Sequence, residues 1–331
     1  MPEKTNNDKS GERIAKVIAR AGLASRREAE AWIAAGRVTV NGAVISSPAL
    51  NVTPSDRIAV DGQPLPRRER TRLFLFHKPR GLVTTHADPQ GRPTIFRALP
   101  KGLPRLISVG RLDINSEGLL LLTNDGGLAR VLELPATGWL RRYRVRALGR
   151  VAQGALDRLR NGIAVEGVRY GPIEATLDRE QGANVWLTVG IREGKNREVR
   201  KVMEALGLKV NRLIRVAYGP FELGDLDDGA VEEVQTDELR KQLGPEIAMQ
   251  AQADFEAPLI EHEAQPVTLR HSRARPQGRE PGIHTPGRHN RGETGVMDSG
   301  SPLRGSRNDK KKHQRRDRTG GPRPKYPRPR A

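Results

Sequence analysis

Asp113 is the residue of this chain best placed to do chemistry. It stands in Gly110-Arg111-Leu112-Asp113-Ile114-Asn115-Ser116-Glu117-Gly118, a polar stretch with glycine at both ends that runs into four leucines, Leu119 to Leu122. A carboxylate in a loop held by a buried strand is either a turn former or a nucleophile, and these residues alone leave both open. Arg111 lies two residues before it. Tyr143 opens a strand-like Tyr-Arg-Val-Arg-Ala-Leu, and Arg197, Arg200, Lys201 and Glu204 share one face of a helical stretch after Glu193-Gly194. Other chemistries lack their residues. There is no Cys, hence no thiolate nucleophile or thiolate metal site, and five of the seven His fall in the last seventy residues. No glycine-rich phosphate loop, Ser-His-Asp set or metal cluster is evident, and no second carboxylate is placed for paired acid-base hydrolysis.

These side chains need elements to hold them. The leucine run is short and ends in the turn signal Thr123-Asn124-Asp125-Gly126, which predicts a buried strand. Arg72 to Phe76 predicts another, ending in His77-Lys78-Pro79. Asn196 to Leu206 reads as a helix with Val199, Val202, Met203 and Leu206 inward and Gly207 as its stop. Val210 to Tyr218, with Arg212 and Arg215, reads as a strand ending at Gly219-Pro220. Strands and helices are mixed, and local patterning does not specify their topology.

The first seventy residues form a separate pattern. Ile14, Val17, Ile18 and Ala21 recur at helical spacing before Gly22. Ser25-Arg26-Arg27-Glu28 is a capping box opening a second helix that Gly36 closes. Asn41-Gly42 and Asp61-Gly62 are hairpin turns beside short strands. Arg13, Lys16, Arg20, Arg26, Arg27 and Arg37 concentrate around the two helices.

The 331 residues carry 58 Lys plus Arg against 39 Asp plus Glu, net +19, which favours a polyanionic partner. From Pro266 onward there are 18 basic and 5 acidic residues, and this Arg-, Gly- and Pro-rich stretch is expected to be a disordered basic tail over 266–331. Pro245 to Gln265 has five acidic residues and no Lys or Arg, and is expected to be an acidic linker over 245–265. No apolar run approaches the roughly 18 residues of a membrane span, and the N-terminus has no apolar leader segment, so a soluble cytoplasmic protein is expected.

Two resemblances join these readings. The stretch from about Gly11 to Val60 resembles the S4 RNA-binding domain, giving an S4-like domain over 11–70. From about Leu73 to Val234, four motifs match in order: His-Lys-Pro-x-Gly, the Val109 to Gly126 stretch with Gly-Arg-Leu-Asp, Tyr-Arg-Val, and Arg-Glu-Gly-Lys-Asn-Arg-Glu-Val-Arg-Lys. They resemble the RsuA/RluB family of pseudouridine synthases, and most the RluB branch, which modifies large-subunit rRNA. Lys195 stands where many members have Arg.

The resemblance implies an α+β fold: a synthase domain over 71–240 with a mainly antiparallel mixed sheet and a central cleft. It implies isomerisation of an rRNA uridine, without cofactor or metal, by a monomer acting on ribosomal RNA or a pre-ribosomal particle. It also implies roles. Asp113 is the nucleophile, attacking C1′ or C6; Arg200 pairs with it; Tyr143 stacks on the flipped uracil. Arg111 fills the vacated space, Lys78 and Pro79 shape the pocket wall, and Arg197 contacts substrate. Arg13, Lys16, Ser25, Arg26, Arg27 and Arg37 bind RNA in the S4-like domain. A noncatalytic RNA-binding or ribosome-assembly factor, or a small-subunit rRNA enzyme, is the alternative.

Overall fold

The computed structural model describes residues 11–260, His262 and the backbone of Thr268–Leu269. The first helix, α1 (Ile14–Arg20), ends at Gly22, whose positive φ of 81° suits a residue without Cβ. The second, α2 (Arg26–Ala34), has the capping box in full: the Ser25 hydroxyl accepts from the Glu28 N–H and the Glu28 carboxylate from the Ser25 N–H. Then β1 (Val38–Val40) pairs antiparallel with β2 (Ile58–Val60), and Asn41-Gly42 and Asp61-Gly62 turn with positive φ throughout. Ile14, Ile18, Ala29, Ile33 and Val38 close a small core between helices and strands.

One mixed sheet is the centre of the rest. It contains β3 (Leu73–Lys78), β4 (Glu117–Thr123), β5 (Arg141–Leu148), β6 (Glu174–Gln181), β7 (Asn184–Ile191), β8 (Lys209–Tyr218) and β9 (Val231–Glu233), in spatial order β6-β7-β5-β8-β4-β3-β9. Every pairing among these seven is antiparallel except β8 against β4. That junction joins the two halves through only Ile214 opposite Glu117 and Arg215 opposite Gly118. All of β4 is buried. Leu120 and Leu122 enter one core and Leu119 and Leu121 the other, which is why the run is continuously apolar rather than alternating. By contrast β5 alternates, with Arg141, Tyr143, Val145 and Ala147 inward.

Two helices cover one face beside β4: α3 (Gly126–Glu133) and α5 (Thr236–Ala251), which pack on each other. Between them in the chain, α4 (Glu198–Ala205) buries Val199, Val202 and Met203. The expected acidic linker is a correction. α5 runs on across a kink at Gly244 and Pro245, Phe255 is buried, and Asp254 O and Pro258 O accept from Thr71 N and Arg70 N. Composition misled because Glu246 and Glu256 lie on exposed positions while Ala251 and Phe255 face the core. Within the range expected as a disordered tail, Thr268–Leu269 pairs in parallel with Glu232 and Glu233 on the sheet edge; the remainder lies outside the described residues.

The Thr123-Asn124-Asp125-Gly126 turn does more than reverse the chain. Buried Asp125 caps α3 through Gly127 N (2.7 Å), and accepts from Arg68 (2.6 Å) and the Thr71 hydroxyl (2.8 Å). Arg20 of α1 lies 3.9 Å from it and donates to Ala251 O (3.3 Å), so one carboxylate ties the N-terminal domain, the connecting segment and α3 together.

Candidate active site

The loop carrying Asp113 is held by its own carbonyls. Leu112 O accepts from the Thr84 hydroxyl (2.9 Å), Asp113 O from Ser116 N (2.9 Å) and Ile114 O from Gly81 N (2.7 Å). Asn115 O accepts from Arg200 Nη2 (3.0 Å) and Ser116 O from Lys78 Nζ (2.9 Å). Five consecutive carbonyls are thus fixed, and Gly110 N is held by Glu133 Oε1 at 2.7 Å. Such a loop presents its side chain with little freedom left to lose. The Asp113 side chain, 24% exposed, projects into a cavity of about 380 Å³.

The other cavity walls come from β5, β8 and the segment before α4. Tyr143 is nearly buried, lines the cavity and stands opposite Arg215 across the β5–β8 ladder. Arg141, two residues before it, donates to Arg192 O (2.8 Å), Glu193 O (2.7 Å) and the Tyr218 hydroxyl (2.8 Å), which in turn donates to Leu132 O. The 193–197 segment is also closed by Glu198, whose Oε2 accepts from Gly194 N (2.9 Å) and Lys195 N (2.8 Å). Burial pushes the Glu198 carboxyl up, against the lowering effect of those two N–H groups. Arg197 follows in the left-handed region, φ 52°, a conformation that residues with a Cβ seldom adopt. The turn so made sends its guanidinium to Asp113, Nη1 to Oδ2, at 3.4 Å.

The expected Arg200–Asp113 pair is therefore a correction: Arg197 holds that place. Arg200 projects from the first turn of α4 beneath the loop and donates to Asn115 O and Val210 O (3.3 Å). Burial, and then the neighbouring Arg197, lower its pKa, opposed by Asp113. Lys78 is corrected as well. It is fully buried under the loop, donating to Pro79 O and Ser116 O, and neither it nor Pro79 lines the cavity. Removal from water takes Lys78 down to about 8, with Asp113 the largest opposing influence. Arg111 is exposed and lines the cavity.

In the N-terminal domain Arg13, Arg26 and Arg27 are exposed. Lys16 is paired with Glu12, and Arg37 with Asp61 while lying over the Trp32 ring. The Ser25 hydroxyl accepts from Glu28 N as the cap of α2, which leaves its O–H free to donate. Sequence reasoning missed Arg141 and Arg215 as site residues. The signal was present: Leu213, Arg215 and Ala217 alternate on β8 as Arg141, Tyr143 and Val145 do on β5, so both arginines share the buried face.

Comparison with known proteins places these observations. Residues 12–58 match the S4 domain model and residues 72–205 the RNA pseudouridylate synthase model. An uncharacterized RNA pseudouridine synthase of Rickettsia typhi is 47% identical over 229 residues, covering 69% of this chain and 94% of that one. The ribosomal large subunit pseudouridine synthase B of Pseudomonas aeruginosa is 44% identical over 237 residues, covering 69% of this chain and 61% of that protein. A crystal structure described as a pseudouridylate synthase is 29% identical, with TM-score 0.49, covering 70% of this chain and 99% of its own. An S4 domain followed by a synthase domain, with identity near one half along almost the whole Rickettsia protein, shows that the chain belongs to the RNA pseudouridine synthases, which isomerise uridine in RNA.

Proposed function

We propose that this chain isomerises a uridine of ribosomal RNA, in the large subunit, with Asp113 as nucleophile. The observation that carries the reading is the Asp113 carboxylate, aimed into a cavity by a loop whose five carbonyls are all bonded, with Arg197 at its edge. Pseudouridine formation breaks N1–C1′, turns the base and joins C5 to C1′; C5 loses a proton and N1 gains one, with no net redox change. Asp113 attacks C1′ or C6. Tyr143 stacks on the extruded uracil, and its hydroxyl oxygen takes the C5 proton as the hydroxyl releases its own, which solvent carries to N1. Arg111, exposed at the mouth, fills the space the base leaves, since a stacked base must be flipped out at a cost of a few kcal/mol.

The large-subunit assignment is supported by the names of relatives such as the Pseudomonas and Haemophilus influenzae proteins, both described as ribosomal large subunit pseudouridine synthase B. Residues 11–70 act as the RNA-gripping domain and 71–240 as the synthase, a monomer working on rRNA or a pre-ribosomal particle in the cytoplasm. The test is to map pseudouridine in rRNA from cells with the protein, without it, and with Asp113→Asn. One 23S site lost in both altered strains is expected. Full modification with Asp113→Asn would overturn the nucleophile, and loss confined to 16S rRNA would overturn the subunit.

A further inference from the structure

We propose that Arg215 binds a carbonyl oxygen of the extruded uracil and holds the negative charge that the ring carries while detached. The inference rests on the proposed function above. Arg215 is 3% exposed and lines the cavity opposite Tyr143. Its Nε donates to Leu119 O at 2.7 Å, and its guanidinium lies 5.0 Å from the Tyr218 ring centroid, so the group is fixed from two sides. Among the described residues its buried Nη2 has no hydrogen-bond partner, and no ion pair to Arg215 is found. Asp113, which lines the same cavity, is engaged by Arg197 instead.

A buried guanidinium without a carboxylate is costly to keep, and an unmet donor beside it more so. Both costs are offset if the substrate supplies the acceptor. When N1–C1′ breaks, the bonding pair leaves with the base, and the charge spreads over C2=O and C4=O. Attack at C6 likewise loads C4=O. Turning the ring so that C5 replaces N1 exchanges the two carbonyls, so a donor fixed in the cavity meets an acceptor before and after the turn. A cation placed where charge develops strengthens the transition state more than the ground state.

The test is a double-mutant cycle on the full chain, with single-turnover rates at saturating enzyme. The RNA carries uridine, 2-thiouridine or 4-thiouridine at the modified position, and the proteins are wild type and Arg215→Met, with Arg215→Lys replacing the Met variant if that fails to fold. Arg215→Met is expected to bind RNA within about twofold of wild type, since affinity comes mainly from phosphates. The oxygen-to-sulfur rate ratio is expected to differ between the two proteins by about tenfold for at least one carbonyl, the size of one lost hydrogen bond to a charged group. Ratios equal within about twofold for both carbonyls would assign Arg215 to propping the β4–β8 junction and overturn the proposal. Wild-type protein inert on the unmodified 23S fragment would sink the proposed function and this inference together. A wild type that turns over with equal ratios sinks only the inference.

Discussion

At the scale of single residues, Arg197 rather than Arg200 of the Asn196-Arg197-Glu198-Val199-Arg200 stretch stands beside Asp113. Arg197 meets the Asp113 carboxylate at 3.4 Å with a side chain 48% exposed, whereas Arg200 sits inside and holds the loop through Asn115 O. An exposed pair of that length contributes at most about 1 kcal/mol, so Arg197→Ala should slow turnover by less than about tenfold. Arg200→Ala leaves Asn115 O without its donor and lets the nucleophile drift. A loss of about a hundredfold in kcat is expected, partly restored in Arg200→Lys, because small misplacements in a preorganised site are expensive. Steady-state kinetics of the three variants check the order; a larger loss from Arg197→Ala would return the principal role to the direct pair.

Lys78 gives a prediction in pH. Its folded pKa is lowered from 10.5 to about 8 by burial, so the unfolded chain holds the proton over a range where the folded chain has released it. Where the unfolded state binds more protons, stability rises with pH. Lys78 therefore adds to stability as pH climbs from about 8 to about 10.5, by an upper bound of about 3 kcal/mol. Urea unfolding of wild type and Lys78→Met at pH 7.5 and 10 isolates the effect, because other titrating groups cancel in the difference. A gap between the two proteins that stays constant with pH would show that Lys78 does not titrate in this window.

At the scale of elements, the site depends on β4 and β8 meeting in parallel over two residues. Gly118 makes this possible: its φ is 101°, and a Cβ there would lie 2.3 Å from Arg215 O. Gly118→Ala combines a disfavoured backbone with a clash against main chain, and should cost about 3 kcal/mol or more. Because the loop of Asp113 enters β4 at Glu117, activity should fall further than the folded fraction does. Thermal unfolding and specific activity of the soluble fraction read the two effects separately. A variant with unchanged melting would mean that the junction can open without penalty.

At the scale of the whole molecule, two regions should hold RNA by different physics. The N-terminal domain offers exposed Arg13, Arg26 and Arg27 on a rigid frame, docked through Arg20 to Ala251 and Asp125. Its removal should weaken capture of a structured rRNA fragment and blur site choice, since shape-matched phosphate contacts set register. Truncation after Gln265 removes 18 basic and 5 acidic residues. That should make the fall of affinity with salt shallower while the modified uridine stays the same. Binding isotherms across a salt series, with mapping of the product, test both. An unaltered slope would mean that the basic segment makes no phosphate contacts.

What the sequence by itself determined was local: α1 and α2 from spacing and the Ser25 capping box, the Asn41-Gly42 and Asp61-Gly62 turns, β4 from its leucines and the inner face of α4. Each follows from periodicity, capping or turn chemistry within a few residues, and the motif around Asp113 was legible for the same reason. Tertiary structure decided the rest. Arg200 and Asn115 are 85 positions apart and Arg215 and Leu119 are 96, so their partners depend on how β8 lies against β4. Residues 245–260 joined the fold because surfaces on α3 and near Thr71 were available to bury Ala251 and Phe255, which the acidic composition concealed. Local rules act through bonded neighbours and helical or strand repeats. Which buried donor meets which carbonyl is set by packing between distant segments, and a single chain read in order does not contain that geometry.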